Sequence, residues 1–173
     1  MKMEATKPYL KATHEAAYAV VSESFGWHVK EVVLHEGREV VQGVPSTIDR
    51  WTEALESRPK LETVGFHVAV ALAGYAAIRR VDCSKELMLD AVKSVGLDWQ
   101  TIEGYFKILN LEPGIKLAAI YDAVAEAEPV IAEKWKAIEK IARVLEQDHR
   151  ISGDDVRRII QEESRAQSGI ATS

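Results

Sequence analysis

A lone cysteine, Cys83, leaves this chain without the means to close an internal disulfide, a usage that suits a reducing compartment. Cys83 stands beside Asp82 with no histidine near it in sequence, so nothing supports a cysteine hydrolase. Basic residues are too few for an electrostatic hold on nucleic acid. Only 22 Lys and Arg face 27 Asp and Glu, a net charge of −5, and no basic stripe exists to displace phosphate counterions. Long apolar runs are missing too. The longest, Val68 to Ala77, cannot span a bilayer, and Met1-Lys2-Met3-Glu4 lacks the apolar stretch of a signal peptide. Gly37, Gly43, Gly65 and Gly74 are isolated, which excludes a glycine-rich phosphate loop and with it a built-in ATPase. The expectation is a cytoplasmic protein that engages neither nucleic acid nor membrane.

What the chain does have is an ordinary globular composition, 47% apolar and 28% charged, and length enough for one substantial core. A single domain is expected over residues 1–167, followed by a disordered tail over 168–173. No internal repeat or low-complexity segment interrupts it.

Pro8 in a first turn, good helix formers through Phe25, and Gly26 as a stop predict a first helix. Trp27 to His35 and Arg38 to Val44, joined by Glu36-Gly37, predict a β-hairpin. Pro45-Ser46 opens a short helix to about Ser57, with Ser46 and Asp49 at capping-box spacing. Leu61 to about Arg80 predicts a long helix, apolar on most faces and therefore central and buried. Ser84 caps a helix ending at Gly96, and Asp98 begins another running to about Leu111. Pro113-Gly114 starts the next, which Pro129 is expected to separate from a helix ending near Asp148. Ser152 and Asp155 form a capping box for a last helix, Gly153 to Ser164. The fold class is α+β, mainly α.

One motif carries chemistry. In Thr13-His14-Glu15-Ala16-Ala17-Tyr18, a histidine and glutamate stand as they do in H-E-x-x-H, where two imidazoles one turn apart bind Zn²⁺ and the glutamate activates its water. Positions four apart share a helix face, so His14 and residue 18 would aim at one ion. Glu15, about 100° around the helix, would reach the bound water. Tyr18 occupies the second ligand position.

Three segments in order resemble the peptidase domain of FtsH-type zinc peptidases, in particular small stand-alone members without the ATPase module. They are Ala12-Thr13-His14-Glu15-Ala16-Ala17 with Ala19-Val20-Val21 before Gly26, then Leu72-Ala73-Gly74 with Ala76-Ala77, then Trp135 to Leu145 followed by Ile151-Ser152-Gly153-Asp154-Asp155-Val156-Arg157. The resemblance covers about residues 8 to 163. It implies a zincin-like helical domain with a small β-hairpin or sheet after the first helix. It also implies His14 as a metal ligand and Glu15 as general base. A downstream aspartate would be the third ligand, with Asp98 the first choice and Asp90 the second. Asp98 has an equally simple reading as a helix N-cap.

Two departures bear on activity. Tyr18 brings a phenol of ordinary pKa about 10, neutral at pH 7, in place of an imidazole. Ile78 stands where the family's helix continues with glutamate. Both point to a fold kept while its metal site decays: a pseudoenzyme acting by protein or peptide binding, with zinc as cofactor only if the site is intact. An active metallopeptidase with an atypical His14, Tyr18 and aspartate or His67 site is the rival reading. A helical interaction or inhibitor protein unrelated to peptidases is a third, and it expects the first and central helices not to pack together. The plain alternative for His14-Glu15 is a histidine and glutamate on an ordinary helix, with Tyr18 stacking on His14 one turn away. His28 and His35 would fall on opposite strand faces, and His149 reads as a solvated turn. Trp51, Trp99 and Trp135 read as packing residues.

Overall fold

The computed structural model describes residues 6–34, 61–87, 100, 102–104, 106, 107, 110 and 112–169; the side chains of 61–64, 66 and 67 fall outside that description. The chain is mainly helical with one small antiparallel sheet, as its sequence pattern predicts.

Helix α1, Lys7–Ser24, begins where the Thr6 hydroxyl accepts the Tyr9 N–H at 3.2 Å, with Pro8 in the first turn. It ends in a paired C-terminal motif: Trp27 N–H reaches Ser22 O at 2.9 Å and Gly26 N–H reaches Glu23 O at 3.1 Å. Gly26 adopts φ +78°, a left-handed conformation that other residues rarely take. Strand β1, Glu31–Val33, follows. Helix α2, Leu61–Ile78, is the buried centre: Val68 to Ala73, Ala77 and Ile78 are all inaccessible or nearly so. It packs against both α1 and α3, Pro113–Glu133. The small residues of Val68 to Ala77 bring those neighbours close.

Proline does not end α3 as the sequence suggests. The helix runs through Pro129 to Glu133. A mid-helix proline costs about 3 kcal/mol through its missing N–H and ring clash. Ala123, Ala127 and Ile131 recur every four residues and are buried on both sides of Pro129, so burial holds the segment helical. The break comes instead at Lys134, which closes α3 and opens α4, Trp135–Asp148. Helix α4 buries Ala137, Ile138, Ile141, Ala142 and Leu145 and packs on α1. His149 then turns the chain in the left-handed region, φ 57°, and stands exposed.

The described partner of β1 is β2, Arg150–Ser152; the 38–44 segment of the predicted hairpin and the Ser46–Asp49 capping box lie outside the described residues. The pair is antiparallel, with Val32 opposite Ile151, both facing the core. Leu34 N–H to His149 O at 2.7 Å and Gly153 N–H to Lys30 O at 2.8 Å extend the ladder on either side. Gly153 is required there. A Cβ on it would run into the Val29 carbonyl oxygen and stand 2.7 Å from the carbonyl carbon. Helix α5, Gly153–Gln167, follows, its N-terminus capped by the Ser152 hydroxyl on the Asp155 N–H at 3.1 Å. Helix α5 thus runs slightly beyond the predicted Ser164, and residues 170–173 of the predicted tail lie outside the described residues.

Elsewhere the Ser84 hydroxyl accepts the Leu87 N–H at 3.2 Å, the cap its sequence predicts. No helix among the described residues is long and apolar enough to cross a membrane.

Candidate functional site

The alanines of α1 place its polar residues against α2. Ala12, Ala16, Ala17 and Ala19 are fully buried, which draws His14 and Glu15 inward with them. Glu15 is 5% exposed. Its Oε1 lies 2.7 Å from His14 Nδ1. Adjacent helical side chains diverge by about 100°, so this contact bends the carboxylate back toward its neighbour. The two ring nitrogens are thus distinct: Nδ1 meets the carboxylate and Nε2 faces away from it.

That nitrogen points at α2. A Cβ built on Gly74 would lie 2.5 Å from His14 Cγ and closer still to Cδ2 and Nε2. The imidazole therefore occupies the volume of the missing side chain, and Nε2 is sealed from solvent. The Leu72-Ala73-Gly74 segment matters for this reason: glycine is the residue that admits the ring. His67, offered as a substitute ligand from sequence, stands two turns earlier in α2, about 10 Å along its axis. The described contact of the ring is with Gly74.

Tyr18, one turn from His14, is partly buried and packs against the main core. Ile78, in the place of the resembled family's glutamate, is fully buried against Leu10 with Val81, Cys83 and Leu87 around them. A carboxylate there would sit in an apolar pocket. Asp98, Asp90, His35, Trp51 and Trp99 lie outside the described residues. His28 is exposed and lies 3.3 Å from Glu23.

A zinc ion demands three protein ligands with an open position beside them. The described donors here are one imidazole, its Nδ1 held by a carboxylate and its Nε2 turned onto a helix backbone, and one phenol. Among the described residues no three His, Cys, Asp or Glu side chains converge as a metal site. Among the described residues this donor set falls short of three ligands, and Asp98 and Asp90, the aspartates the resemblance implies, lie outside them.

Sequence reasoning missed a second polar cluster. Glu23, at the end of α1, accepts the Val29 N–H at 2.7 Å and the Arg157 Nη1 at 2.7 Å. Arg157 also donates to Val29 O at 3.2 Å and to Asp154 at 2.5 Å. Asp154 first, then Glu23, hold the guanidinium above its ordinary pKa against partial desolvation. The cluster fastens α1, the entry to β1, and α5 together. No local pattern announces a pair so distant in sequence. No family model matches the chain, and no curated protein matches it.

Proposed function

We propose that this chain is a peptidase-like domain whose zinc site has degenerated and which acts in the cytoplasm by binding another protein. The observation that carries the reading is the state of His14. Its Nδ1 is engaged by the carboxylate that would serve as general base, its Nε2 is packed on Gly74, and the residue one turn on is Tyr18. A base bonded to its own would-be ligand is not aimed at a metal-bound water. The packing of α1 on α2 runs against the unrelated-helical reading, which expects those helices apart.

The surface we assign to the partner is the outer edge of β1. Leu34 and Lys30 bond toward β2, and the alternation of an antiparallel ladder then turns the N–H and C=O of Glu31 and Val33 the other way. An extended peptide can add there by backbone pairing. The test of inactivity is proteolysis of unfolded casein with zinc supplied. The purified protein is expected to cleave no faster than its Glu15→Gln variant. Cleavage that Glu15→Gln abolishes while the melting temperature holds would restore the active-peptidase reading.

A further inference from the structure

A cavity of about 230 Å³ opens where the end of α2 meets the middle of α3. Its floor is apolar: Ala76, Val124 and the fully buried Ile131. Arg79 and Arg80 line it from the end of α2 and Glu128 lines it from α3. Each guanidinium is laid over an aromatic ring, Arg79 at 5.9 Å from the Tyr75 centroid and Arg80 at 5.8 Å from that of Trp135. Neither is in ion-pair contact with a carboxylate among the described residues, and Glu128 likewise meets no cation there. Stacking on a ring restricts a guanidinium without neutralising it, so its donors stay free for an anion.

We propose that this cavity binds a free α-amino acid with an apolar side chain. The two guanidiniums take the carboxylate, Glu128 takes the ammonium, and the side chain lies on Ala76, Val124 and Ile131. Fork-shaped donors suit a carboxylate, and the charges of cavity and zwitterion are complementary in sign and order. A space of about 230 Å³ suits a ligand the size of one residue rather than a folded segment. The inference is independent of the metal question, because none of these residues touches His14 or Glu15 in the contacts described above.

Structural duty alone would also place arginines here, since cations at a helix C-terminus complement its dipole. Titration of the full-chain protein with leucine, followed by calorimetry and by Trp fluorescence, separates the two. Saturable binding with a dissociation constant on the order of 1 mM is expected for so small a ligand. Leucinamide, which lacks the carboxylate, and 4-methylpentanoate, which lacks the ammonium, are each expected to bind about tenfold more weakly or worse. Arg79→Gln and Glu128→Gln are expected to weaken leucine about tenfold without lowering the melting temperature. Glycine is expected to bind more weakly for want of the apolar contact. The proposal is overturned if leucine shows no saturation, if either analogue matches it, or if both variants keep full affinity.

Discussion

Gly74 and His14 share one volume: the imidazole lies where a side chain at position 74 would have to grow. Gly74→Ala tests this directly. Alanine is the better helix former by about 1 kcal/mol, yet overpacking a buried contact costs about 1–3 kcal/mol, so a net loss of about 1 kcal/mol, and at most about 2 kcal/mol, is expected in urea unfolding. Pairing it with His14→Ala should return most of that loss, because the methyl then enters the space the ring vacates. Equal destabilisation with and without the ring would show that the two residues do not compete.

Gly153 faces backbone rather than a side chain, and backbone cannot rotate away. Gly153→Ala is therefore expected to cost about 3 kcal/mol, at the upper end of overpacking effects. Amide exchange should report the damage as faster exchange at Gly153 and Leu34, whose N–H groups flank the β1–β2 ladder. A neutral substitution would contradict the register.

The Glu23–Arg157 contact buries one charge more than the other: the Glu23 side chain is 7% exposed and that of Arg157 32%. Arg157→Leu leaves a buried carboxylate with its strongest partner gone, for an expected loss of about 2–3 kcal/mol. Glu23→Gln keeps an acceptor for the Val29 N–H and should cost about 1 kcal/mol. Chemical denaturation of the two variants checks that order.

Acid should act on the α4–α5 surface. Arg158, then Ser152, hold the Asp155 carboxyl below its usual range, and Lys140, then Arg158, do the same for Glu162. Folded pKa values below the unfolded ones mean that this support is present above about pH 4, the ordinary carboxylate range, and fades as pH falls through the folded values. The two side chains are about half exposed, so the effect is modest and salt should shrink it. The Lys140→Gln and Asp155→Asn variants are expected to show shallower acid limbs in plots of melting temperature against pH.

How far the sequence could be read follows from where its information lies. Helix ends were legible wherever a local signal was read: Pro8, Gly26, Ser84, Ser152 with Asp155. The burial of α2 was legible in the apolar run of Val68 to Ala77. Pro129 misled because its local cost is outweighed by burial of Ala127 and Ile131, which depends on α2 lying alongside. The pairing of β1 with β2 was invisible, since its partners, such as Val32 and Ile151, are 119 residues apart. The motif identified His14 and Glu15, but not that Glu15 would turn onto His14. That contact depends on how α2 closes over the ring.

The central claim is that a phenol at position 18 leaves this pocket without a zinc site. Elemental analysis of the purified chain, dialysed at neutral pH after exposure to zinc, tests it most directly when Tyr18→His is measured alongside. The expected result is far less than one zinc per parent chain, with a clear gain in the variant. Zinc near one per chain in the parent, lost on His14→Ala with the fold retained, would contradict the account.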